Sequence, residues 1–102
     1  MTAPIPLDLR DLDDAKVAEA MPHMGECKYA APCIIGTLIP VEMRAGLDGY
    51  DPPNIATLIQ KGRFDFPDDA QRKLAFNLQA AFDSEIPSQF NTILAQIRAL
   101  PA

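Results

Sequence analysis

The sequence predicts an all-α, single-domain bundle of five or six short helices around one buried central segment, and three observations carry that prediction. Apolar residues recur every three or four positions near the end of the chain, first at Ala70, Leu74, Leu78, Ala81 and Phe82, then at Phe90, Ile93, Leu94, Ile97 and Leu100. Ten prolines among 102 residues punctuate the rest into short pieces, against a usual proline share of ~5%. The run Cys33 to Ile39 is apolar on every side and lies between Pro32 and Pro40. It is therefore buried whichever secondary structure it adopts, and its flanking prolines favour a short helix over a strand.

Taken in order, residues 1–8 form a loosely ordered lead-in containing Pro4 and Pro6. Asp11 is placed to cap a helix from about Leu12 to Met21, with Asp13 and Asp14 facing the positive end of its dipole. Pro22 and Gly25 end it. Pro40 starts a further helix that should turn Met43 and Leu47 inward and stop at Gly49, with Tyr50 in the linker. Asp51, Pro52 and Pro53 read as the cap and start of a helix carrying Ile55, Leu58 and Ile59 and ending at Gly62. Phe64 and Phe66 alternate in a short extended piece. Pro67, Asp68 and Asp69 open the strongest helix, which runs to about Asp83, and the last helix follows Pro87. The final two helices, joined by a short turn, form an antiparallel hairpin.

Composition limits function. Nine Lys and Arg against fourteen Asp and Glu give a net charge of -5, which repels phosphate backbones and argues against direct binding of nucleic acid or an anionic membrane. No stretch approaches the ~18 apolar residues of a membrane span, and the opening MTAPIPLDLRD lacks a basic region followed by an apolar one, so the expected location is cytoplasmic. A 48% hydrophobic fraction with 23% charged residues belongs to a globular chain.

The two cysteines, Cys27 and Cys33, are expected to be reduced thiols, since two are too few for a disulfide framework. The sharpest alternative is a zinc site built from His23, Cys27 and Cys33, three soft ligands within eleven residues. Its C-x5-C spacing is wider than the usual two to four intervening residues. Thiol catalysis would have His23 as its single available base, and a Cys27–Cys33 disulfide would be unusual in a reducing compartment. No phosphate loop, paired-carboxylate site or Ser/His/Asp arrangement is present in the sequence, so the chain is expected to have no enzymatic activity and no cofactor.

Two groups of residues suit a protein contact instead. Asp8, Asp11, Asp13 and Asp14 could face a basic groove on a partner, although a solvated, capped helix start is the better explanation of them. Tyr50, Phe64 and Phe66 lie near predicted helix ends and would serve as contact anchors if exposed, or as core if not.

Cys27 and Tyr29, then Cys33, Gly36, Leu38, Ile39 and Pro40, then Leu47, Asp48 and Gly49, followed by Ile55, Leu58, Ile59 and Gly62 and finally Leu78, Gln79, Phe82 and Asp83, form a pattern. It resembles a loose group of small uncharacterised phage and bacterial proteins with C-x-Y, C-x-x-G-x-L-I-P and L-Q-x-x-H/F-D motifs. The resemblance covers roughly Gly25 to Asp83. It implies a compact helical protein of phage or mobile-element type and transfers no activity; relatives often have more residues before the second cysteine and commonly His where this chain has Phe82. The expected function is a small acidic protein-binding module, inhibiting a host protein by occupying its surface, with a cysteine-centred zinc or redox protein as the alternative. A homo-oligomer built on the last helix is compatible with so small a chain.

Overall fold

The computed structural model describes residues 3–26, 28–50 and 54–101. Its dominant elements are helical: α1 (Asp14–Ala20), α2 (Val41–Leu47), α3 (Ile55–Gln60), α4 (Asp69–Asp83) and α5 (Pro87–Arg98), with short 3-10 turns at Leu9–Asp11, Met21–His23 and Ile35–Leu38. The expected all-α class holds only approximately. Two short strands, β1 (Ile5–Pro6) and β2 (Phe64–Asp65), pair in parallel with Ile5 beside Phe64 and Pro6 beside Asp65.

The amides of Ile5 and Leu7 donate to the carbonyls of Arg63 and Asp65 at 3.0 and 2.9 Å. Pro6 falls between them, at the position whose N–H would point away from the partner strand, so its missing donor costs the ladder nothing. Leu7 enters the core at 5% exposure, which with the pairing of Ile5 corrects the expectation of a loose lead-in for residues 5–7, and Leu9 follows it at 0%.

Side-chain caps set the helix starts. Asp13, rather than the expected Asp11, accepts from the Lys16 amide at the start of α1; Asp68 accepts from the Gln71 amide at the start of α4. Asn54 caps α3 through the Thr57 amide, while the Asp51-Pro52-Pro53 signal lies outside the described residues.

The Cys33 to Ile39 segment is the centre of the molecule, as expected, with Cys33, Ile34, Ile35 and Ile39 all buried. It forms a single 3-10 turn, because Pro40 lacks the N–H that would extend a helix by bonding to Gly36. Gly36 is required there: an added Cβ would lie 2.6 Å from the Tyr29 carbonyl oxygen. Gln79 of α4 accepts from the Ile35 amide at 3.2 Å and so joins the central turn to the hairpin.

In that hairpin, α4 and α5 pack along their length, with Leu78, Ala81 and Phe82 facing Phe90, Leu94 and Ile97 across the core. The Phe82 and Phe90 rings lie 6.1 Å apart. Ala70, expected on the apolar row, is exposed, and Gln71 and Ala75 are buried instead.

Candidate functional site

The residues singled out by sequence fall in three places, and a fourth surface emerges from the packing of α2. At the first, Asp8, Asp11 and Asp13 line a concavity of about 430 Å³ together with Arg10, Lys16 and Leu38. Most of this negative charge is engaged internally. Asp8 accepts from the Arg10 guanidinium at 2.5 Å and from the Gln71 side-chain amide at 3.0 Å. Hydrogen bonds from the Arg10 guanidinium, opposed by partial burial, hold the Asp8 carboxyl well below the usual carboxylate range. Asp13 is the α1 cap, and Asp14 meets Arg98 at 2.6 Å, tying α1 to the end of α5. Of the four carboxylates, Asp11 is exposed and enters no ion pair among the described residues.

The second place is the cysteine region. Cys33 is a free thiol at 1% exposure, and its Sγ accepts from the Gly36 amide at 3.3 Å. Burial pushes its pKa up to about 12; the Gly36 N–H opposes the shift and the Asp83 carboxylate adds to it. The Tyr29 hydroxyl is likewise raised, chiefly by burial. Both groups are protonated at neutral pH, the reverse of what an activated nucleophile requires. His23, part-exposed, places Nδ1 2.7 Å from Glu26 Oε2. Cys27 lies outside the described residues; among the described residues no three His, Cys, Asp or Glu side chains are grouped to hold a metal.

The aromatic residues divide. Phe64 and Phe66 are buried at 0% and 4% and belong to the core, not to a contact surface, because β2 directs Phe64 against Tyr29 with centroids 6.2 Å apart and Phe66 against Phe64 at 6.1 Å. Tyr50 is half-buried, and the Arg63 guanidinium lies 5.4 Å from its ring centroid.

The fourth surface is α2. Arg44, not Met43, joins Leu47 on its inner side, because the Arg44 Nε donates to the Ile39 carbonyl at 2.8 Å and its guanidinium approaches Glu19 at 3.6 Å. That rotation leaves Val41, Ala45, Glu42, Gly46 and Met43, in that order round the helix, as an exposed arc. Val41 is 72% exposed and Met43 42%, and Glu42 is the single charge among them. Among the described residues, nothing outside the backbone of its own helix lies within 4 Å of where a Gly46 Cβ would stand. Asp48 closes the helix by accepting from the Tyr29 and Ala30 amides at 2.7 and 3.1 Å, which fixes α2 to the central segment. The signal for this arc was available in the sequence as the Arg44 and Leu47 pair at helical spacing, which competes with Met43 and Leu47 for the inner side.

No helix among the described residues is long and apolar enough to cross a membrane. Comparison with protein-family models, curated proteins and solved structures gives no match to this chain.

Proposed function

We propose that this protein is a protein-binding module whose docking face is the exposed arc of α2, and that it acts by occupying its partner's surface. One observation carries the reading. Gly46 lies in the last turn of α2, where glycine costs up to about 1 kcal/mol relative to alanine, yet among the described residues no atom outside the backbone of its own helix approaches the space a side chain would fill. Nothing among the described residues requires glycine at this position. A partner would, because its absent side chain admits a second backbone or ring into close contact, with Val41 and Met43 as apolar rims. The buried, protonated state of Cys33 and Tyr29 supports binding over thiol or phenolate chemistry. The resemblance of Gly25 to Asp83 to small phage and bacterial proteins makes a host protein the partner we propose.

A photo-crosslinker placed at Val41 tests the face, with Gln60, exposed at the end of α3, as the control position. Adducts with another protein should form from position 41, be absent from position 60, and disappear in Gly46→Gln while the helical circular dichroism is retained. Equal adducts from both positions, or adducts that survive Gly46→Gln, would reject α2 as the docking face.

A further inference from the structure

Taking α2 as the docking face, we propose that in the absence of its partner this face is covered by α4 of a second copy of the chain, so that self-association and partner binding compete. The exposed side of α4 carries Asp69, engaged by Arg72, together with Lys73, Phe76 and Asn77, and Phe76, 45% exposed, is the one large apolar side chain of α4 turned to solvent. Neither Lys73 nor Glu42 of α2 enters an ion pair among the described residues. The two helices thus present opposite charges, each one turn from a feature the fold does not use.

The register of these features matches. With the two helices parallel and Glu42 set opposite Lys73, Gly46 lies about 6 Å further along α2 and about 40° to one side, at 1.5 Å and 100° per residue. Phe76 lies about 4.5 Å along α4 and about 60° round in the opposite sense by the same geometry. Facing surfaces invert the sense of rotation, so Phe76 arrives over Gly46, and Asn77 arrives over Ala45. Phe76 is then a knob in the gap left by the missing Gly46 side chain, with the Met43 thioether on the same flank as a sulfur–aromatic contact. The charge pair fixes this register against slippage of a turn, since sliding either helix separates Glu42 from Lys73 and removes Phe76 from the gap together. The contact is heterologous, joining one surface to a different one, and so it yields a closed ring or a chain of copies unless two such contacts form reciprocally.

Sedimentation equilibrium on the full chain over a range of concentrations tests it. The wild type should show a mass rising above 11.1 kDa with concentration. Glu42→Lys and Lys73→Glu should each weaken association about tenfold or more, as expected for like charges brought together at a contact. The double charge swap should restore association, a result that general loss of structure cannot produce. A wild type that stays at 11.1 kDa throughout, or a folded double swap no stronger than the single variants, overturns the proposal. Crosslinking from Val41 keeps this separate from the docking-face reading: an adduct of twice the chain mass reports the second copy, and Lys73→Glu should remove that adduct while preserving or increasing adducts with other proteins. Loss of both kinds of adduct in Lys73→Glu also counts against competition.

Discussion

The Leu9 amide donates to the side-chain oxygen of Gln71 across 2.8 Å, and both residues are buried although 62 positions separate them in the chain. The same glutamine donates its amide to Asp8 at 3.0 Å, so one side chain fastens the first ordered turn of the molecule to α4. Gln71→Leu keeps the volume but leaves the Leu9 N–H buried without an acceptor, and it should cost about 1–3 kcal/mol. Urea denaturation followed by circular dichroism measures this; a loss below the scatter of surface variants would mean that water replaces the glutamine.

Asp8, at the other end of that bridge, makes the attachment pH-dependent. Its carboxyl is held below its ordinary value of 3.8, first by the Arg10 side chain and then by backbone and Gln71 hydrogen bonds. A depressed carboxylate contributes stability above its unfolded pKa and loses it as pH falls through the folded one, so the contribution declines below about pH 4. Because Arg10 is 43% exposed, solvent screening limits the effect to about 1 kcal/mol. Asp8→Asn should be less stable than wild type at pH 7 and should approach it at pH 2, as read from denaturation midpoints at the two values.

Two glycines with opposite surroundings give a paired prediction. At Gly36 an added Cβ meets the Tyr29 carbonyl oxygen at 2.6 Å, backbone against backbone, and Gly36→Ala should destabilise by about 1–3 kcal/mol through overpacking. At Gly46 the added methyl meets no other element among the described residues, and Gly46→Ala should stabilise by up to about 1 kcal/mol through helix propensity. For a domain of this size the two melting temperatures should move in opposite directions by roughly 4–8 °C per kcal/mol. Destabilisation by Gly46→Ala would mean that the glycine serves the fold after all and would remove the support for a docking face.

How far these features could be read in the sequence follows from the range of the interactions behind them. The α4 and α5 hairpin was legible because Leu78, Phe82, Phe90, Leu94 and Ile97 repeat at helical spacing and Pro67, Asp68 and Pro87 mark the starts, all local signals. The burial of Cys33 to Ile39 was legible from apolarity alone, and the extended Phe64 piece from its alternation. The pairing of Ile5 with Phe64 was not, since two-residue strands carry no periodicity and their partners lie 59 positions apart by the numbering. Inward-facing Gln71, Gln79 and Arg44 were missed for a related reason: a polar side chain reads as exposed until its distant acceptor or donor is known, here Leu9, Ile35 and Ile39. Gln71 does share one helical row with Ala75, Leu78 and Phe82, a pattern that outranks its polarity once noticed. The exposed arc of α2 was hidden for the same reason, because turning Arg44 inward is what turns Met43 out.

Cys33 contributes to the alkaline behaviour of the fold. Its thiol has an ordinary pKa of 9.0 and is pushed up to about 12 by burial in the central turn. From about pH 9 upward the unfolded chain releases this proton while the folded one retains it, so the unfolded state is favoured as pH rises. The loss begins at the unfolded pKa, proceeds at about 1.4 kcal/mol per pH unit, and levels off only once the folded thiol itself ionises. Cys33→Ala abolishes the titration at the cost of a small cavity. It should therefore be less stable than wild type at pH 7 and show a shallower decline between pH 9 and pH 10. Tyr29, raised chiefly by burial and next by the Cys33 charge, remains in both proteins, so the two slopes are compared below its ordinary pKa of 10.0, before the unfolded phenol ionises. The same burial predicts that native-state alkylation of Cys33 proceeds only through opening of the core, with a rate that rises in step with denaturant. Rapid labelling at pH 7.5 without denaturant, or parallel stability slopes for wild type and Cys33→Ala, would show the thiol to be accessible to solvent and would return the cysteine region to consideration as a reactive site.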